Sequence, residues 1–397
     1  MRSNLAHVEV INKIEPIKDA DFIELATVLG WHVIINKKDG FKVGDKCIYI
    51  EIDSIVDTDR PEFKFLEARG KRIRTMKMRG VYSQGLIMPM SAYGSGYEKL
   101  KVGDDVTDHF GIIHYEEYLQ QKAEKSKEKK YSGFRKFLWT HKFLRPIGVW
   151  LGYWKSDKKE IVIREYPYWV IKTDEERIQN IPEIIGKMKD YCAENNVGVI
   201  ATEKIDGTSA TYTLHTETKQ DKKHRHKSKY YGFEYWVCSR NMSVDPNGDT
   251  IYAQFGNNHN MEEILMKLFN ELGAKEYITI QGELIDPTVQ KNKYALKQSE
   301  QRLFVFNLIK DGERCGTDRI YSLFKKYGID LEIVPIVSNF ELKDTVDEIL
   351  LEADGDSVVI PKDYKGTHLR EGLVIRTGDG KLSFKAVSNK FLVKHSE

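Results

Sequence analysis

The sequence predicts an α+β chain of two unlike parts, a small N-terminal β-barrel and a larger domain of antiparallel sheets with peripheral helices. Three observations carry that expectation. Residues 1–110 alternate short β-rich runs with turn signals. Residues 166–397 mix strand-like runs and amphipathic helical segments in an irregular order, not the regular alternation of βαβ winding. Between them, residues 111–165 are basic and aromatic and read as a connector.

In the first part, residues 22–28, 47–52 and 85–88 are the β-rich runs, separated by turn signals such as Lys38-Asp39-Gly40. The tetrapeptide Lys42-Val43-Gly44-Asp45 returns as Lys101-Val102-Gly103-Asp104, and each copy precedes a short apolar or alternating segment, as a strand entry in a compact barrel does. A five-stranded OB-like barrel fits these runs. Within it, residues 68–80 hold six Lys/Arg and no acid. Such a strip suits a nucleic-acid backbone, with Arg72, Arg74, Lys77 and Arg79 as the contacts. It also suits a solvated edge strand kept from aggregating by its charges.

The connector carries nine Lys/Arg against two Glu between Lys122 and Arg145, with Tyr131, Phe134, Phe137, Trp139 and Phe143 interleaved. Cations among aromatics hold phosphates and stack bases, or lie on an anionic membrane surface. Local packing of a linker explains them equally well. Beyond it, Thr173-Asp174-Glu175-Glu176 has capping-box form and predicts a helix with Ile184, Ile185, Met188, Tyr191 and Cys192 on one face. Strands are expected at 197–203, 209–216, 235–239, 277–285, 302–309, 371–376 and 382–387, and helices around 260–272, 319–327 and 340–352.

Whole-chain composition excludes several classes. Of 397 residues, 62 are Lys or Arg and 60 Asp or Glu, a net charge of +2, so the chain is neither a globally basic coat nor an acidic tail. No apolar run reaches the ~18 residues of a membrane span, and no secretory leader is evident. Four scattered cysteines without a CxxC indicate neither a zinc site nor a disulfide framework. An intracellular location, cytoplasmic or nuclear, follows, with no membrane partner and a monomeric state expected.

The chemistry concentrates in Glu203-Lys204-Ile205-Asp206-Gly207. A lysine attacking a phosphoryl centre must be deprotonated and held in line, which nearby cationic charge or desolvation favours. Period-two alternation puts Lys204 and Asp206 on one face, and Gly207 permits a sharp exit and close backbone approach. Alone, K-x-D-G equally fits a surface turn. It is followed, however, by Ser239-Arg240-Asn241, Gln281-Gly282-Glu283-Leu284, Phe304-Val305-Phe306-Asn307, Glu371-Gly372-Leu373-Val374-Ile375-Arg376 and Ser383-Phe384-Lys385-Ala386.

This ordered set resembles the motifs of the covalent nucleotidyltransferase superfamily, the polynucleotide ligases and mRNA capping enzymes. The resemblance covers residues 166–397 and implies an adenylylation domain in which Lys204 forms a lysyl-N-AMP adduct. It implies that Glu203 reads the adenine edge, that Phe306 and Val374 enclose the base, and that Arg240 reaches ribose or phosphate. Ser209 and Arg177 join the nucleotide-binding set, and Lys385 contacts the α-phosphate. Glu283 and Glu371 are implied to hold a divalent metal, Mg or Mn, through its waters, with Asp206 placing metal or pyrophosphate.

Lys385 lies 12 residues from Glu397, which leaves no room for the C-terminal OB domain of DNA ligases and capping enzymes. Residues 168–180 also look like a signature upstream of the nucleophile in RNA ligases. Together these features resemble RNA ligases with an N-terminal OB domain, the fifth RNA ligase family. That likeness implies an ATP-dependent ligase sealing 3′-OH and 5′-phosphate ends in RNA or an RNA-containing nicked duplex, a role in RNA repair. A DNA or mixed RNA/DNA nick ligase, GTP-dependent capping and a catalytically weakened nucleic-acid-binding relative remain alternatives. Two departures stand out. The family's last motif commonly has lysines two residues apart, whereas Lys385 is followed by Ala386 and Val387, so one α-phosphate contact is either missing or taken by Lys390 or another cation. Residues 217–232 form a basic insertion with six Lys/Arg and two acids, suited to clamping a nucleic acid or to a solvated hairpin tip.

Overall fold

A computed structural model describes residues 4–119, 121–122, 135, 137–138, 141–144, 147, 151, 153, 166–216, 227–337 and 340–395. Most of the basic aromatic connector and residues 217–226 of the basic insertion lie outside the described residues. The chain divides into two compact units, Met1–Ser156 with Gln179–Pro182 and Leu392–Glu397, and Asp157–Ile178 with Glu183–Phe391.

The first unit is built on β1 (Ala6–Pro16), β2 (Ile23–Val28), β3 (Trp31–Asn36), β4 (Lys46–Ile50), β5 (Ser54–Ile55), β6 (Met76–Met78), β7 (Val81–Ser83), β8 (Leu86–Pro89) and β9 (Ile113–His114). Five strands form one antiparallel sheet in the order β3-β2-β1-β4-β8. An irregularity between Ile11 and Lys13 lets β1 pair with β4 through Ala6–Val10 and with β2 from Ile11 onward. The free edge of β3 is met by the β7–β8 link, where the Gln84 N–H donates to His32 O (2.7 Å) and the Ile34 N–H to Ser83 Oγ (3.0 Å). This closure gives the expected OB-type barrel.

Both copies of the repeated tetrapeptide fold into the same turn. The Lys42 N–H donates to Asp45 Oδ2 (2.7 Å) and the Lys101 N–H to Asp104 Oδ2 (2.8 Å), while Gly44 and Gly103 take φ of 92° and 91°. Their amides donate to Ile11 O and Val8 O, so the two turns dock on one strand. The first enters β4 as expected. The second makes only a single bridge, Asp105 with His7, before a helical turn at Thr107–Phe110, because the Val106 and Thr107 groups are drawn back to Ala6. The end of the basic strip, residues 76–80, enters the β6–β7 hairpin, whose turn residues Arg79 and Gly80 both have positive φ (51° and 84°), as a two-residue hairpin turn of this hand requires.

The second unit contains β10 (Val199–Lys204), β11 (Thr208–Thr216), β12 (Phe233–Cys238), β13 (Ser243–Val244), β14 (Tyr277–Ile285), β15 (Arg302–Lys310), β16 (Glu313–Arg314), β17 (Glu332–Ile333), β18 (Gly372–Thr377) and β19 (Ser383–Val387). One sheet runs β13-β12-β11-β14-β15-β16, with β17 parallel to β15, and the other runs β10-β18-β19. Helices Ile251–Asn258, Met261–Leu272 and Thr317–Tyr327 cover the outer face of the larger sheet around Leu214, Leu265, Ile280 and Phe324. A second apolar cluster includes Ile205, Ile285, Tyr294, Phe304, Val334 and Val359. The small sheet is joined to the chain after β17 by the Glu203 N–H to Pro335 O (2.9 Å) and the Val337 N–H to Ala201 O (2.8 Å).

The capping box expected at Thr173 does not form. Thr173 Oγ1 lies 2.9 Å from Ser209 Oγ instead, and the helix starts only at Ile184. The physical reason is competition from sheet pairing. Residues 173–177 run beside β19, where the Lys385 N–H donates to Glu176 O (2.7 Å) and Arg177 bridges Lys385. A true capping box occurs at Thr345 and Glu348, opening the helix Val346–Ala353.

Candidate active site

Strand register assembles the site. In the small sheet, Lys204 pairs with Gly372, Thr202 with Val374, and Val374 with Lys385. Directly paired residues share a face, so Lys204, Val374 and Lys385 project together. In the large sheet, Ser209 pairs with Glu283. Asp206 lies past the end of β10, so strand alternation is not what aims it; the turn at Gly207 is. That turn is tight. A Cβ on Gly207 would sit 2.5 Å from Leu284 O, and the Gly207 N–H donates to Glu283 Oε1 (3.2 Å). The turn after Lys204 is thereby tied to the strand carrying Glu283.

Lys204 Nζ lies 2.6 Å from Glu371 Oε2, and both side chains are largely shielded from solvent. Burial works against the ammonium, but Glu371, Glu283 and Asp206 outweigh it and hold the lysine above its ordinary pKa. Burial likewise pushes Glu283 up to about 8, opposed by Lys204 and reinforced by Glu371. The site is therefore a protonated lysine beside the carboxyl groups of Glu371, Glu283 and Asp206, with burial drawing Glu283 and Glu371 toward their neutral forms. Among the described residues, no three His, Cys, Asp or Glu side chains form a cage for direct metal coordination. A water-mediated cation matches that arrangement better, since Mg²⁺ commonly retains several waters and takes one or two carboxylates.

Glu203 and Phe306, the residues expected to meet a base, lie on the same unit. Glu203 is buried, with Oε2 accepting the Val358 N–H (2.9 Å), while Oε1 is buried with no hydrogen-bond donor in bonding geometry among the described residues. Burial raises the pKa of this carboxyl, against hydrogen bonds from the Ser357 hydroxyl and the Val358 N–H. Phe306 sits at an irregularity in β15, where Gly282 pairs with Val305 and Gln281 with Asn307, so the phenylalanine is the extra residue of a bulge. Gly282 leaves no space there, since a Cβ would lie 2.8 Å from Phe304 O. Arg376 fixes the bulge by donating to Phe306 O (2.7 Å) and Asn307 Oδ1 (2.9 Å), and it is itself held by Glu175 (2.8 Å). Glu175 stays ionised despite burial because Arg376, Ser383 and Arg314 hold its pKa down.

The remaining sequence candidates fall as follows. Arg240 pairs with Asp174 (2.6 Å), and Arg177 lies alongside Lys385. Arg72, Arg74, Lys77 and Arg79 all belong to the first unit. Arg72 pairs with Asp53 (2.6 Å) and covers the Tyr115 ring at 3.8 Å, whereas Arg74 is exposed just before the hairpin and Lys77 and Arg79 are exposed on it, Lys77 5.1 Å above Tyr82. Sequence reasoning missed Lys293, whose ammonium contacts the Asp206 carboxylate, and Tyr294, whose hydroxyl accepts the Asp206 N–H (2.7 Å). Both come from an irregular loop with no periodicity to mark them.

A family model described as RNA ligase matches residues 198–392, and one described as an OB-fold domain matches residues 5–90. Solved structures of Naegleria gruberi RNA ligase are similar along the whole chain. The enzyme with PPi is 28% identical, the match covering 100% of this chain and 99% of that one, with a TM-score of 0.70. A variant with AMP and Mn is 27% identical (99% and 99% covered, TM-score 0.70). Another variant, with ATP and Mn, is also 27% identical (99% and 100% covered, TM-score 0.70). No curated protein matches the chain in sequence. Among the described residues, no helix is long and apolar enough to cross a membrane.

Proposed function

The chain belongs to the RNA ligase family and is an ATP-dependent RNA ligase; from its geometry we propose that it seals 3′-OH and 5′-phosphate ends at nicks, by way of a lysyl-N-AMP adduct on Lys204 and an adenylylated 5′ end. The observation that carries this reading is the shielded Lys204 ammonium at the end of β10, 2.6 Å from Glu371 and within the field of Glu283 and Asp206.

Adenine would give its amino group to Glu203 Oε1 and lie between Phe306 and Val374. Lys385 and Arg240 would face the phosphates, the latter exchanging Asp174 for its new partner. Glu283 and Glu371, with Asp206 beside them, would hold a divalent cation through water. When bound, that cation offsets phosphate charge and favours neutral Lys204. Lys204 then attacks the α-phosphorus, a P–N bond forms, the Pα–O bond breaks and pyrophosphate leaves. The proton shed by Nζ has Glu371 Oε2, 2.6 Å away, as its nearest acceptor. AMP next passes to the 5′-phosphate, and the 3′-OH displaces it. Positioning and charge neutralisation supply the rate, since phosphoryl transfer asks for little covalent chemistry from the protein. In the first unit, Arg74, Lys77 and Arg79 would track the RNA backbone, while Arg72 secures the hairpin through Asp53 and Tyr115.

Nicked duplexes that differ only in RNA or DNA at the 3′-OH end test the substrate. Sealing that requires ribose at the 3′-OH terminus supports the proposal. Equal or better sealing of all-DNA nicks would make the enzyme a general nick ligase, because the 2′-OH is what separates the two polymers at that position.

A further inference from the structure

The last strand presents one lysine where the family's pattern commonly has two. Val387, two residues beyond Lys385 on the same face, is 3% exposed and pairs with Gly372. Lys390 does not take its place, because its ammonium lies 3.5 Å from Asp354 and its N–H donates to the same carboxylate. A different cation enters from residues 286–301. Lys293 rests on the Asp206 carboxylate and lies 4.7 Å over the ring of Phe391, four residues past Val387. Its ammonium thus stands between the turn after Lys204 and the helix Asn389–His395 that follows the last strand.

The loop that delivers Lys293 is strained. Gln290, Lys291, Asn292, Ala295 and Ser299 all take left-handed conformations, with φ of 49°, 57°, 52°, 53° and 69°. Residues other than glycine persist in this conformation only where their surroundings over-determine it. Here Asn292 brackets the turn, donating to Leu296 O and accepting the Leu296 N–H, both at 2.9 Å. Tyr294 and Leu296 are anchored in the apolar cluster, and Tyr294 also holds the Asp206 backbone. Every one of these constraints bears on where Lys293 and Asp206 sit relative to each other.

We propose that Lys293 gives the reacting α-phosphate the second cationic contact that the last strand lacks. The inference rests on the ATP-dependent ligase reading. An ammonium has three donors, so contact with Asp206 leaves it able to donate to a phosphate oxygen as well. It makes and breaks no covalent bond, and its effect is to offset charge on the non-bridging oxygens as Pα changes partners.

The test compares AMP with adenosine. With Mg²⁺ present, calorimetric titrations of both into wild type and K293A isolate the phosphate. AMP should bind K293A about tenfold more weakly, while adenosine binds both proteins alike. Single-turnover joining of pre-adenylylated RNA should fall about 100-fold in K293A, the scale of losing one donor to a transition-state oxyanion. Adding V387K to K293A should recover at least tenfold of that loss. Unchanged AMP affinity, or equal weakening of AMP and adenosine, overturns the assignment. So does a joining defect untouched by V387K in a double variant that melts where K293A does. If wild-type protein itself takes no label from ATP, the ligase reading has failed; if it does and K293A matches it throughout, only the role of Lys293 has.

Discussion

Replacing Gly207 by alanine perturbs the nucleophile's turn without touching a charge. The added Cβ would lie 2.5 Å from Leu284 O, about 0.9 Å inside the 3.4 Å at which ordinary contact begins. Ile285 Cγ2, at 2.9 Å, can rotate away, but the Leu284 carbonyl is backbone of β14 and is held by pairing with Thr208. Relief must therefore come from moving the turn, and with it Lys204 and Asp206, relative to Glu283. A displacement near 1 Å at a reacting centre costs about 100-fold in rate, or about 2.7 kcal/mol. Single-turnover formation of the labelled protein adduct at saturating ATP measures it directly. A Gly207→Ala rate within threefold of wild type would refute the argument that close approach at this glycine sets the geometry of attack.

Two further outcomes follow from the first unit. His7 is buried with Nδ1 2.8 Å from Glu9 and Nε2 3.6 Å from Glu51; burial opposes its charge, but the two carboxylates outweigh it and raise its pKa from 6.5 to about 9. A raised folded-state pKa contributes stability in full below pH 6.5, on the order of 3 kcal/mol, which is lost as pH rises through 9. Thermal melting should therefore show a fall over that window that His7→Gln flattens, and an unchanged slope in the variant would contradict the assignment. Replacing Arg74, Lys77 and Arg79 by glutamine should lower the salt slope of RNA binding by about two and weaken sealing. Adenylylation needs no RNA and should hold its rate; a matching loss there would make the hairpin a structural element.

Much of the second unit was legible because its strands are compact β-rich runs, largely buried on both faces. The runs expected at 277–285 and 302–309 appear as Tyr277–Ile285 and Arg302–Lys310. In the first unit, β1 went unread although Ala6, Val8 and Val10 alternate with His7 and Glu9, and the burial of that polar pair as well is a tertiary solution no local rule predicts. The Thr173 to Glu176 segment carries a capping signature, yet pairing with β19 at a separation of over 200 residues overrides it. Phe306 was identified by motif order, but the bulge that frees it depends on the register of β14 against β15. Glu175 and Arg376 find each other across 201 positions, and Lys293 reaches Asp206 from a loop whose shape comes from backbone strain. Pairings of that range belong to the folded chain.

The central claim is that Lys204 takes AMP from ATP. Incubating the protein with Mg²⁺ and ATP labelled at the α-phosphate, then resolving it on a denaturing gel, tests this most directly. The account predicts a labelled band from wild type, none from Lys204→Ala, and none when labelled GTP replaces ATP. No band from ATP, or a band that persists in Lys204→Ala, would contradict it.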